Sequence, residues 1–187
     1  MLPRIPQASA IIAAGWLSAC AISTPFRGPG YDSGDGILLQ LNAEQSVVVG
    51  LTKAVIGTDR KKNKDFDRNL WNVVARLNAQ PGLIGYSVRK QIFGSEMWTM
   101  TVWKDEASLI AFVQSQSHTR AIQEGDEALT DSSFVRVLVD AESIPLEWDQ
   151  VIAWIDEHGR PFPRKPGDLV DLRESRRASA ATALPQR

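Results

Sequence analysis

Residues 81–122, PGLIGYSVRKQIFGSEMWTMTVWKDEASLIAFVQSQSHTRAI, carry the reading that decides the fold. From Leu83 to Phe93 the residues alternate, with Ile84, Tyr86, Val88 and Ile92 on one face and Ser87, Arg89 and Gln91 on the other. A period of two is that of a half-buried strand. Gly94-Ser95 turns the chain, and Glu96 to Trp103 returns with Trp98, Met100 and Val102 opposite Met97, Thr99, Thr101 and Trp103. So short a connection predicts an antiparallel hairpin. Lys104-Asp105-Glu106 then opens a helix with the apolar stripe Leu109, Ile110, Phe112 and Val113. Ser115 to Ser117 interrupts that helix, and a further turn or two follows at His118.

Working outward, Ile37-Leu38-Leu39 has strand character, and Ser46 to Ile56 is long and β-branched enough for a central strand. Gly50 within it marks either a bulge or a place where another group approaches the backbone. A helix is predicted over about Lys64 to Asn78, with Phe66, Leu70, Trp71, Val73, Val74 and Leu77 at helical spacing. Asp65 and Asp67 suit its positive end, and Pro81-Gly82 stops it. The basic run Arg60, Lys61, Lys62, Lys64 reads as a solvated loop ahead of it. Downstream, Ser132 to Asp140 is a strand, and a last helix spans about Pro145 to His158 with Gly159 as its stop. The order β-α-β-β-α-β predicts an α+β domain over 37–158: a ferredoxin-like antiparallel sheet with helices on one face, plus an added C-terminal helix. Beyond it, 159–187 holds Pro161, Pro163 and Pro166 and an Arg- and Ala-rich stretch, expected to be disordered.

The 187 residues suit one domain with tails, and 43% hydrophobic and 23% charged residues are ordinary for a globular chain. A net charge of -1 gives no general attraction for nucleic acid. The sequence contains no Cys/His cluster, EF-hand loop or HExxH, so no metal site is expected, and neither Walker A, GxGxxG nor GxSxG occurs. Six tryptophans are present, of which Trp16 precedes the domain; the rest are expected mostly in the core.

At the amino end, Arg4 precedes an apolar run from Ala8 to Ala19. The run falls short of the roughly 20 residues of a membrane-spanning helix and fits an export signal. It closes on Leu17-Ser18-Ala19-Cys20, which resembles the lipobox of bacterial lipoproteins. The resemblance implies a signal peptide over 1–19 and a lipid-modified Cys20 as the first mature residue. Cys20 is the only cysteine, which excludes an intrachain disulfide. Ala21 after the cysteine resembles the outer-membrane sorting pattern of Gram-negative lipoproteins, so the expected address is the bacterial cell envelope, lipid-anchored, and in a Gram-negative cell the periplasmic side of the outer membrane. A mis-assigned start would place the chain in the cytoplasm instead. The Gly- and Pro-rich residues 20–36 read as a flexible tether.

GLIGYSVRKQ followed by MWTMTVWKDEASLIAFVQSQSHTRAI resembles the antibiotic biosynthesis monooxygenase family of the dimeric α/β-barrel superfamily. The shared elements are a Pro-Gly helix end, a hairpin, a strand ending in Trp and a charged pair, an Ala/Leu/Phe helix and a Ser-x-His segment. The resemblance covers about Val47 to Asp140. It implies a homodimer formed by packing of the sheets, with a pocket between sheet and helices in each subunit. It also implies oxygenation of a small aromatic or quinol-type compound without metal or organic cofactor. The site would then be drawn from Trp71, Asn72, Tyr86, Arg89, Trp98 and His118. His118 would exchange a proton with a phenol, Arg89 would hold a phenolate, and Trp71, Asn72, Tyr86 and Trp98 would bind substrate, with Tyr86 or Trp98 stacking on a planar ring. A haem-degrading branch of the superfamily uses a helix histidine as iron ligand. Aligning Trp103 with that branch places Ile122 at the ligand position and Phe112 where it has a tryptophan, which counts against haem. The same fold also suits a non-catalytic ligand-binding or interaction module of the envelope, and a purely structural envelope lipoprotein.

Overall fold

The computed structural model describes residues 20–42, 44–161 and 169–171. The leader expected over 1–19 and most of the tail expected over 159–187 lie outside them. In chain order the elements are β1 (Ala21–Ser23), β2 (Tyr31–Asp32), β3 (Gly36–Ile37), β4 (Ser46–Ile56), α1 (Arg60–Leu77), β5 (Leu83–Gln91), β6 (Glu96–Trp103), α2 (Glu106–Val113), α3 (Gln116–Gly125), β7 (Leu129–Asp140), α4 (Trp148–His158), β8 (Arg160–Pro161) and β9 (Leu169–Asp171). β2 and β3 form a small hairpin, and the remaining seven strands form one sheet in the order β1-β5-β6-β4-β7-β8, with β9 also pairing β7. Every pairing is antiparallel except β7 with β9. The central order β5-β6-β4-β7 is the ferredoxin-like arrangement expected from the sequence.

The register sorts side chains onto two faces. Val49 pairs with Val102 and Val137, and Leu51 with Met100 and Val135. These residues form one apolar cluster together with Leu146, Val151 and Ile155 from α4 and its approach. Partly buried Phe26, Tyr31, Ile37, Leu39 and Leu41 extend it. The other face carries Val48, Ala54, Leu83, Tyr86, Val88, Met97 and Trp103 beneath Val74 and Leu77 of α1 and Leu109 and Phe112 of α2. The first three helices thus share one face, and the added C-terminal helix lies on the other. A homodimer made by packing bare sheets would have to displace α4 and residues 26–41.

Three local expectations change. Residues 20–36 are not a free tether: Ala21–Ser23 pairs with β5, Thr24 N–H donates to the Val88 carbonyl at 2.8 Å, and Phe26 packs on the core. The basic run is the first turn of α1, because Asp59 caps the helix by accepting from the Lys61 and Lys62 amides at 2.9 and 3.1 Å. Those two bonds hold the Asp59 carboxyl below its ordinary value. The α4 helix starts at Trp148 rather than Pro145. Gly50 is a place of close approach and not a bulge. A Cβ there would stand 3.0 Å from Thr101 Oγ1 and 3.2 Å from Leu109 Cδ1, whereas the irregularity of β4 lies at Val55/Ile56.

Candidate functional site

Between the sheet and α1–α3 lies a cavity of about 390 Å³, within the size range of small-molecule sites. Its floor is made by short side chains: Gly50, Thr52 and Ala54 from β4, and Thr99 and Thr101 from β6. Its roof is the inward stripe of α1, Phe66, Asn69, Leu70, Val73, Val74 and Leu77, closed by Leu109 and Phe112. That stripe repeats every three or four residues, which puts its members on one side of a helix. Trp71 and Asn72 fall outside it. Trp71 is 47% exposed and Asn72 is exposed, so neither reaches the cavity. Asn69 of α1 does, as does Gln114 just past α2.

His118 and Tyr86 are the two sequence-predicted residues that the fold brings to this cavity. The Ser115 hydroxyl caps α3 by accepting from the His118 amide at 3.3 Å, which sets His118 in the first turn of a new helix. Its ring packs on Phe112 at a centroid distance of 4.6 Å, and Phe112 stacks on the fully buried Trp103 at 5.1 Å. Nδ1–H donates to the Val113 carbonyl at 3.2 Å. A carbonyl only accepts, so Nδ1 holds the proton and Nε2 presents a lone pair in the neutral ring. Burial pushes the imidazole below its ordinary value, against the smaller raising effect of the Val113 carbonyl. His118 is therefore a neutral base at neutral pH.

Arg89 and Trp98 lie on the opposite face. They pair directly across β5 and β6, and Trp98 belongs to the α4-side cluster. Lys53 sits over the Trp98 ring at 5.9 Å and bridges Glu96 at 2.7 Å and Asp156 of α4 at 3.6 Å. The arginine proposed to hold an anion is thus separated from His118 by the sheet.

A different arginine lines the cavity. Arg136 of β7 lies beside Gly50, is 6% exposed, and is the one cation in the cavity wall among the described residues. Its Nη1 donates to Glu106 Oε1 at 2.8 Å, while Nε is buried with no partner. A buried donor left unmet costs about 1–3 kcal/mol. The signal was present in SSFVRVLVD, where one charged residue interrupts an otherwise apolar strand core.

Cys20 is exposed with a free thiol, and its carbonyl accepts from the Ile92 amide at 2.8 Å. Among the described residues no group of three or more His, Cys, Asp or Glu is placed to hold a metal ion, and no helix is long and apolar enough to cross a membrane.

Residues 54–124 match the model of the antibiotic biosynthesis monooxygenase family. The matched stretch contributes the whole helical roof, His118 and most of the strand floor; it leaves out Arg136 and α4. No curated protein matches the chain significantly. Among solved structures, a conserved protein from Methanosarcina mazei is 17% identical with a TM-score of 0.45, over 50% of this chain and 92% of that one. A candidate antibiotic biosynthesis monooxygenase from Caulobacter crescentus is 13% identical with a TM-score of 0.44, over 52% and 91%. A candidate monooxygenase from Lactobacillus acidophilus is 16% identical with a TM-score of 0.41, over 51% of this chain and 47% of its own length, so this chain spans about half of that protein. The α+β fold and the family match together give residues 54–124 a monooxygenase-like fold.

Proposed function

We propose that the protein is an envelope-anchored, cofactor-independent monooxygenase-like enzyme acting on a small aromatic or quinol-type compound. The observation that carries the reading is a neutral His118 bordering an apolar cavity of about 390 Å³, with Nδ1 held by Val113 and Nε2 available. A phenolic substrate would give its hydroxyl proton to Nε2. The resulting phenolate passes an electron to dioxygen, the superoxide so formed joins a ring carbon as a peroxide, and loss of water leaves the ring oxidised to a quinone. The substrate supplies every electron, so that 1,4-naphthohydroquinone and dioxygen give 2-hydroxy-1,4-naphthoquinone and water. Tyr86 in the wall and Phe112 beneath His118 supply aromatic surface for a planar ring.

The test is oxygen uptake with a panel of hydroquinones, including 1,4-naphthohydroquinone. His118→Ala is expected to lower kcat/KM at least tenfold; equal rates would remove His118 from the chemistry. A non-catalytic ligand-binding module is the second reading, favoured by the predominance of apolar side chains in the wall. It is the one left standing if the panel binds without consuming oxygen.

The envelope address rests on Cys20 and its surroundings. The thiol is exposed, and Ile22, Ile92 and the 89% exposed Phe93 lie beside it on β1 and at the end of the β5–β6 hairpin. Labelling of the full chain with a tagged palmitate, lost in Cys20→Ala, tests it. The same reading carries a homodimer built on a surface other than the α4-covered face. Light scattering at micromolar concentration showing one chain per particle would remove it.

A further inference from the structure

Arg136 does something in the cavity that neither the family match nor the proton-transfer chemistry of His118 requires. An arginine on the floor-side strand of an apolar hollow is costly to place there unless its donors are met. Glu106 meets one of them: Nη1 to Oε1 at 2.8 Å. The Glu106 side chain is 36% exposed against 7% for Arg136, so water screens the carboxylate more than the guanidinium. Among the described residues Nε has no partner, and the bond and ion pair that Arg136 makes with Glu106 use Nη1 and leave Nη2 aside. Nε and Nη2 form one edge of the guanidinium, the edge that matches two oxygens of a carboxylate. Gly50, which pairs with Arg136 across the sheet, carries no side chain, and Leu109 and Thr101 approach it instead. Among the described residues the remaining charged group in the wall is Asp126, which is exposed.

We propose that the cavity takes an anionic aromatic ligand, a ring acid whose carboxylate lies against the Nε/Nη2 edge of Arg136. This deepens the reading of the cavity as a ligand site by naming the charge its ligand carries. It does not depend on oxygen chemistry.

The experiment is calorimetric titration of the full chain with three probes sharing one ring system: 1-hydroxy-2-naphthoate, its methyl ester and 1-naphthol. The acid is expected to bind at least tenfold more tightly than the ester or the naphthol. Arg136→Met is expected to abolish that preference, so that acid, ester and naphthol bind alike. Glu106→Gln, which removes the competing negative charge while its amide oxygen can still accept from Nη1, is expected to keep or raise the preference. Equal binding of acid and ester by the parent overturns the proposal whether or not any variant folds, and so does an acid preference that survives Arg136→Met. Acid preference without oxygen uptake would sink the monooxygenase reading and leave this one standing. Oxygen uptake from hydroquinones with no acid preference would do the reverse.

Discussion

On its α4 side the central sheet presents Val47, Val49, Leu51, Met100, Val102, Val135 and Val137, and these meet Leu146, Val151 and Ile155 in a continuous apolar cluster. On its α1–α3 side the same strands present Gly50, Thr52, Thr99 and Thr101, and a hollow remains beneath the helices. Adjacent residues of one strand therefore serve opposite ends. Apolar side chains fill one face throughout, and on the other a patch of small or hydroxylated ones, set among larger residues such as Tyr86, Met97 and Trp103, leaves room for the hollow. Packing density is thus set residue by residue, and stability and binding are separable in this molecule by choosing a face.

The sharpest way to break that comparison is a charge in the filled face. Val151 is 0% exposed, and Val151→Asp would strand a carboxylate among valines and leucines. A loss of about 4 kcal/mol or more is expected in urea unfolding. A shift under about 1 kcal/mol would mean that α4 does not sit where it is described. Gly50→Val comes next. Its side chain would press on Leu109 and Thr101 and occupy the floor, so a cost of about 2 kcal/mol is expected, together with at least tenfold weaker binding of 1-naphthol. Retained binding would show that the hollow above Gly50 is not where the ligand goes. Val73→Ala trims the roof where the side chain already borders open space, and about 1 kcal/mol is expected. A cost equal to that of Ile155→Ala, expected near 3 kcal/mol, would erase the difference between the faces.

The smallest effect is one of pH. Burial keeps the folded-state pKa of His118 below the ordinary 6.5. As pH falls, the unfolded chain takes up this proton first, so stability present above about pH 6.5 is lost on the way down and levels off once the folded ring also protonates. His118→Phe should flatten that slope between about pH 7 and 5, read from urea midpoints; an unchanged slope would place the imidazole in water.

Much of this was legible in the sequence, for reasons that differ by residue. The hairpin of β5 and β6 and the long β4 were readable because each runs long enough for its period or its β-branched content to dominate. His118 was readable because a Ser-x-His segment at a helix break has few roles. The start of α1 was hidden: four basic residues at a helix N-terminus oppose the dipole, and only the Asp59 cap reconciles them with helix. Residues 20–36 misled because their glycines serve contact. A Cβ at Gly30 would stand 2.9 Å from Ile84 Cα and from Leu39, so glycine lets this segment lie flat on β5. Arg89 and Tyr86 could never have shared a cavity, since three steps along a strand put them on opposite faces. Ile84 changes sides because the β5 register shifts between Leu83 and Gly85, which no periodicity reveals. Trp71 was placed on the inward stripe by its hydrophobicity, and its position one residue past Leu70 turns it outward. Arg136 went unmarked because a single charge in a strand is ordinarily solvent-facing, and its burial depends on pairing with Gly50 from a strand far away in the chain.

The bond from the Ile92 amide to the Cys20 carbonyl, with the three β1–β5 pairs behind it, has a mechanical meaning. A load applied at Cys20 and directed away from the sheet would meet this short outer ladder before any other. The deeper strands, bonded on both sides, feel little of it. Peeling of this edge would leave the ladders between β5, β6, β4 and β7, which frame the hollow beside His118, with all their own bonds.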